Sequence, residues 1–308
     1  MQNIQEVQEL LHGMKLLKKC FDTVRIVDPL HKTVFQLKKE NGQEILAKQQ
    51  NLSCYTMWQK NNSCLNCVSM RAINENETFV KFEEIDGRIF MLTAVPIELE
   101  GRRLAIELSK DITHQKILDG MLNKDIETMD KELLRSSIAR LNEIVVRDTL
   151  TQLYNRKYIN EKLPVDLTKA YVEKICVSVI IADIDHFKTI NDTYGHLVGD
   201  QILQRFAQIL QQNIRQTSGD WVARYGGEEF LIYLIGGDKN SAVASVERIR
   251  KAVEIENYNT TAGALSITAS FGMTTIVNQE IDMLEFIQLA DKNLYVAKKS
   301  GRNCVIAG

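Results

Sequence analysis

At 308 residues, with 44% hydrophobic and 25% charged side chains, the chain is long enough for about two packed domains and too apolar for disorder. Thirty-eight basic residues against 40 acidic ones leave a net charge of −2, which excludes the basic excess of a nucleic-acid-binding surface. The most apolar run, 175–184, is far short of the ~20 residues a membrane span needs, and the N-terminus lacks a signal-peptide core. A cytoplasmic location is therefore expected, with neither a membrane nor a nucleic acid as partner.

In chain order, Ile4, Val7, Leu10, Leu11, Met14 and Leu17 recur at steps of three and four, which predicts an amphipathic helix. Strands follow at 23–27, 33–37, 78–82, 88–95 and 103–108, rich in branched residues or alternating in polarity. The segment 50–75 between the second and third strands lacks strand character. Two strands, an irregular helical middle and a three-strand meander resemble a PAS sensor domain, and Asp111-Ile112-Thr113 resembles the triplet with which such domains pass to an effector. The first domain is placed at 1–111.

From 112 to 147, Leu118, Leu122, Ile126, Met129 and Leu133 form a seam, continued after a one-residue slip by Leu134, Ile138, Leu141 and Val145. Steps of four and three predict a coiled coil, read as a parallel stalk joining two copies of the chain. The alternative is a helix packed on its own domain.

The third region, 148–308, alternates helices and strands. A short helix is expected from Arg156 to Pro164, a buried strand over 175–184, a helix over 190–214, and a hairpin of 221–225 and 230–235 turning at Gly226-Gly227. A helix over 238–254, a strand over 264–275 and a helix over 281–300 follow. Asp183-Ile184-Asp185 ends the first of these strands. Strand side chains repeat every two residues, so both carboxylates share one face, a set that suits a hard cation such as Mg²⁺. Such a pair alone is weak, but Asn191, Asp200 and Gly226-Gly227-Glu228-Glu229 follow it.

RYGGEEF at 224–230 resembles the signature of GGDEF-domain diguanylate cyclases. DTLTQLYNR at 148–156, ADIDHFKTINDTYGHLVGD at 182–200 and LYVAKKSGRN at 294–303 resemble further segments of that family, in register. The resemblance implies an α+β fold for 148–308, similar to the palm of nucleotide cyclases and polymerases. It implies condensation of two GTP into cyclic di-GMP by two domains meeting in a homodimer. Asp183, Glu228 and the Ile184 carbonyl would hold Mg²⁺ or Mn²⁺, while Asn191 and Asp200 would read guanine. Lys298 and Arg302 would neutralise phosphate, Phe187 and Lys188 would lie beside the triphosphate, and Glu229 would stand next to the attacking 3′-hydroxyl. Asp185 reads as a capping or ion-pair residue, and His186 and His196 as structural. A non-catalytic nucleotide-binding signalling module is the alternative. One departure is visible: an arginine that many members use for product inhibition is replaced by Thr217.

Cys20, Cys54, Cys64 and Cys67 all fall in the first region, and the last two form a C-x2-C unit. Four thiolates suffice for tetrahedral Zn²⁺ or an iron–sulfur cluster, so a metal-binding sensor is expected, with His31 as a substitute ligand. A buried Cys20 beside a redox dithiol is the alternative. Cys176 and Cys304 read as ordinary thiols.

Overall fold

A computed structural model describes residues 13–14, 16–40, 43–99, 101–113, 131–215 and 219–308. The chain divides into two compact units, Met1–Val145 and Val146–Gly308.

In the first unit, β1 (Thr23–Asp28), β2 (Thr33–Glu40), β3 (Gln43–Ser53), β4 (Phe79–Ile85), β5 (Arg88–Leu99) and β6 (Arg102–Asp111) make one sheet. Its order is β3-β2-β1-β6-β5-β4, antiparallel throughout. The five strands expected from the sequence are present, and β3 is an addition. As an edge strand with one hydrogen-bonded neighbour it needs little apolar pattern, and its sequence, QEILAKQQNLS, is mostly polar. The non-strand middle thus begins only at Cys54. It holds a 3₁₀ turn (Thr56–Trp58) and α1 (Val68–Glu75). Val24 and Ile26 pack with Met14, Leu104 and Ile106 on one face, while Trp58, Val68 and Ala72 pack with Leu92 and Ala94 in a second cluster.

Helix α2 (Lys131–Val145) belongs to this unit. Ile138 is buried with Ile89 and Ile112, and Asn142 Nδ2 donates to the Phe82 carbonyl at 3.2 Å. The described part of the expected coiled-coil stalk lies against its own sheet, as in the alternative reading, because Ile138 finds apolar partners there. Leu141 and Ile144 stay exposed, at 52% and 57%. The first half of the stalk seam lies outside the described residues, as do the first 12 residues of the expected N-terminal helix and Thr217.

The second unit contains α3 (Arg156–Glu173), β7 (Val177–Ile184), α4 (Phe187–Tyr194), α5 (His196–Gln212), β8 (Trp221–Gly226), β9 (Glu229–Ile235) and α6 (Lys239–Ile255). A small hairpin of β10 (Tyr258–Thr260) and β11 (Gly263–Leu265) follows, then β12 (Ala269–Ile276), α7 (Met283–Lys299) and β13 (Val305–Ala307). The main sheet runs β13-β12-β7-β9-β8, with only β12–β13 parallel. Helices cover both faces, so β7 is buried at every residue and reads as one apolar run. Its alternate side chains divide between two clusters: Ile180, Ala182 and Ile184 join α5 and α6, whereas Val179 and Ile181 join α3 and α7.

Three expected elements differ. Helix α3 continues through Pro164 to Glu173, since a proline removes a single donor and the buried Leu163, Val165 and Leu167 hold the helix on the sheet. The helix expected over 190–214 breaks at Gly195, whose φ of +85° ends α4 and starts α5. The strand expected over 264–275 splits into β11 and β12. Gly272 in β12 is a close-approach position: a Cβ there would overlap Leu294 N and Ala290 O of α7 and stand 2.6 Å from Leu294 Cα. Helix α7 thereby sits directly on the strand backbone.

Candidate active site

The carboxyl end of β7 meets the start of β9. Asp183 pairs across the sheet with Glu229 on one side and Ser270 on the other, and Glu228 belongs to the Gly226–Glu229 turn. Asp183 is 5% exposed, and Lys298 Nζ of α7 lies 2.7 Å from its Oδ2. Burial pushes the Asp183 carboxyl up to about 6; Lys298 opposes the shift, and Glu228 and Glu229 add to it. The Glu229 carboxyl is also raised, by burial first and by Asp291 and Glu228 next, against Lys298 and Arg156. Three acids thus converge where one ammonium reaches. With Asp183 buried and negative charge in excess of the one ammonium, the strand end offers the hard oxygen donors that suit a divalent cation. Lys298 fills the counter-charge role on Asp183.

Asp185 behaves differently although it shares the strand end. It accepts from Thr268 Oγ1 and Ser270 Oγ, both at 2.7 Å, and from the Asn303 backbone N–H at 3.1 Å. Its acceptors are spent on β12 and on the loop that carries Arg302. That loop is bent, with φ of +66° at Arg302 and +46° at Asn303. Arg302 itself is exposed.

Phe187, expected beside the triphosphate, is the first residue of α4. Its side chain is 6% exposed and packs with Ile184, Val198 and Ile202 in the core, so only its backbone faces the strand end. The α4 start therefore offers N–H groups of its first turn, which have no intrahelical partner, together with the exposed Lys188. His186, the N-cap of α4, is exposed with φ of +58°, and His196 is exposed at the start of α5. Asn191 on α4 and Asp200 on α5 are half-buried, one on each side of the Gly195 break. The Asn191 Oδ1 is buried with no hydrogen-bond partner.

A further link was not anticipated. Arg224 of β8 donates from Nε and Nη2 to the Gly227 carbonyl, at 3.0 and 2.8 Å, and pairs with Asp148 at 3.2 Å. Asp148 also accepts from Thr151 N and Oγ1 at 2.8 Å, and these bonds with Arg224 hold its carboxyl below the usual range against the opposing effect of burial. The Arg224 N–H donates to the Tyr154 carbonyl at 2.7 Å. The motif segments DTLTQLY and RYGG are thus one piece of structure; their shared presence in the sequence was the available signal.

The expected cysteine centre is not assembled. Cys20 is exposed at the end of a helical turn, while Cys54 follows β3 and is half-buried. Burial first, then the Glu107 carboxylate and Cys64, push the Cys54 thiol up to about 12. Among the described residues no group of three or more His, Cys, Asp or Glu is placed to hold a metal ion. Asp183, Glu228 and Glu229 do not form such a three-membered group either.

The sequence profile described as "Diguanylate cyclase, GGDEF domain" matches residues 145–304. The chain belongs to the GGDEF family. It is 39% identical over 159 residues to the diguanylate cyclase DosC of Escherichia coli K12, covering 51% of this chain and 34% of DosC. It is 32% identical over 236 residues to the response regulator PleD of Caulobacter vibrioides, covering 74% of this chain and 52% of PleD. Among solved structures, the coiled coil and GGDEF domain of DgcB from Caulobacter crescentus, in complex with c-di-GMP, superposes with a TM-score of 0.55 at 27% identity. That match covers 63% of this chain and all of the other. The chain therefore spans about a third to a half of the length of these curated relatives. No helix among the described residues is long and apolar enough to cross a membrane.

Proposed function

We propose that the chain is a diguanylate cyclase that joins two GTP molecules into cyclic di-GMP and releases two pyrophosphates. The observation that carries this reading is the buried Asp183 facing Glu229, beside Glu228 and Lys298, in a domain of the GGDEF family. Mg²⁺ or Mn²⁺ held by Asp183, Glu228 and the Ile184 carbonyl would supply charge neutralisation at the phosphates. Asn191 and Asp200 read the guanine edge, because an amide and a carboxylate together match its acceptor and donors. Lys298 and Arg302 neutralise phosphate, and the first turn of α4 with Lys188 faces the triphosphate. Glu229 stands beside the 3′-hydroxyl and is placed to take its proton. Little covalent chemistry is asked of the protein, so positioning and charge dominate.

Each domain holds one GTP in this reading, so turnover requires a homodimer, joined through the 112–147 segment. The first unit is a PAS-like sensor. Its support is the strand, helical middle and meander order, present here with one added strand. The protein works in the cytoplasm. Feedback by product is weak, because Thr217 replaces the inhibition arginine and Asp220 is already paired with Arg215 at 2.9 Å. Thr217→Arg is expected to bring inhibition by micromolar cyclic di-GMP.

The deciding experiment incubates the purified chain with GTP or ATP and Mg²⁺ or Mn²⁺. Cyclic di-GMP is expected from GTP alone, and Glu228→Gln is expected to remove it. GTP binding without product would instead establish the non-catalytic signalling module.

A further inference from the structure

The helices α4 and α5 meet at an angle set by Gly195, and the meeting point is Gly199, in the first turn of α5. An ideal Cβ on Gly199 would overlap the Asn191 Oδ1 outright, stand 3.0 Å from Asn191 Cγ and 3.2 Å from Phe187 Cζ. The Asn191 amide therefore lies in the space a Gly199 side chain would take. Phe187 at the rear of this space is held in the core, so it offers no room for retreat. The Asn191 Oδ1 is buried without a partner, although a buried amide oxygen normally has one.

We infer that Gly199 is a positioning residue for nucleotide specificity: its missing side chain is the shelf that holds the Asn191 amide toward the base. The inference rests on the GTP reading given above. It assigns Gly199 no contact with the nucleotide; it acts through Asn191. Asp200, its neighbour in α5, is then tied to the same geometry, so one short stretch of chain sets both base-reading groups. The atoms a Cβ would displace are the far end of a side chain and not backbone. Gly199→Ala is therefore accommodated by rotation of Asn191, with the fold retained. Alanine also favours the helix over glycine, which offsets the close approach of its Cβ to Phe187 and keeps thermal stability near that of wild type.

The test is a double-mutant cycle on the full chain. Binding of GTP is measured by calorimetry, and KM and kcat by cyclic di-GMP formation, for wild type, Gly199→Ala, Asn191→Ala and the double variant. Gly199→Ala is expected to weaken GTP binding and raise KM about tenfold, with kcat within about twofold and the melting temperature close to that of wild type. In the Asn191→Ala background the same substitution is expected to have no further effect on binding, because the amide it displaces is gone. Unchanged GTP binding in Gly199→Ala overturns the inference, as does an equal loss in both backgrounds, which would assign the effect to helix packing. Wild type that fails to bind GTP overturns the proposed function itself. Wild type that binds GTP while Gly199→Ala binds equally well overturns only the role of Gly199.

Discussion

Both units bury charge at a sheet, but the Glu83 and Glu107 pairs of the first and the Asp183 site of the second treat it in opposite ways. In the first unit Arg25 Nε donates to Glu107 at 2.6 Å, Ser69 also donates to Glu107, and Arg25 Nη2 reaches the Cys54 carbonyl. Lys81 pairs with Glu83, which Lys60 also holds at 2.7 Å, and Lys81 donates to the Asn66 carbonyl at 2.8 Å. Acid is matched by base, so the Glu83 carboxyl lies below its ordinary range, its two lysine partners overcoming the opposing effect of burial. Among the described residues of the second unit Lys298 pairs with Asp183 alone while Glu228 and Glu229 add like charge, and the carboxyls of Asp183 and Glu229 are driven upward. Matched buried charge holds a structure together. Unmatched buried charge marks where a ligand is to supply the remainder.

The largest effect that tests this contrast is at Asp183. Asp183→Asn is expected to lower kcat about a thousandfold, ~4 kcal/mol of barrier, with the melting temperature of the metal-free protein unchanged or raised. A clear drop in that melting temperature would place Asp183 with the matched charges. Next is Glu107→Gln, which leaves the Arg25 guanidinium buried without its carboxylate. A loss of about 3 kcal/mol is expected in urea unfolding of the first unit, with GTP binding by the second unit retained. Unchanged stability would show that its charges are not matched in the way argued.

A smaller effect is expected at Arg224, which is matched charge serving the unmatched site. Arg224→Met frees the Gly227 carbonyl and Asp148, and kcat is expected to fall about tenfold with little change in the melting temperature. The smallest concerns Cys54. With its thiol pushed up to about 12, it should resist iodoacetamide at pH 8 in the native protein while the exposed Cys20 reacts. The fold keeps this proton where the unfolded chain loses it, so Cys54 removes stability as pH rises from about 9 toward 12. Equal labelling of Cys20 and Cys54 in mass spectrometry would contradict its burial.

Much of the second unit was legible because its motifs are contiguous. The carboxylates at 183 and 228 stand in short strings whose strand and turn are readable by periodicity, and the fold joins them across one register, Asp183 to Glu229. Motif position does not tell side chain from backbone: the sequence did not show that the Phe187 ring belongs to the core. The Asp148–Arg224 bond and the Gly199 contact were hidden, since both depend on distances between segments. In the first unit β3 carried almost no apolar signal, as an edge strand can. The cysteines misled because their spacing is a property of the chain, whereas a metal centre is a property of space, and Cys20 and Cys54 differ in exposure and setting.

Gly272 has a consequence for genetics. It touches no nucleotide in the proposed reaction, yet it sets how near α7 lies to β12, and α7 carries Lys298 to Asp183. Any side chain at 272 meets the backbone of Leu294 and Ala290, which has nowhere to rotate. In a saturation screen scored by signal output, position 272 should rank with the acidic residues and reject even alanine. Weak alleles there should be heat-sensitive, and their suppressors should map to the α7 face around Ala290 and Leu294, away from the acids.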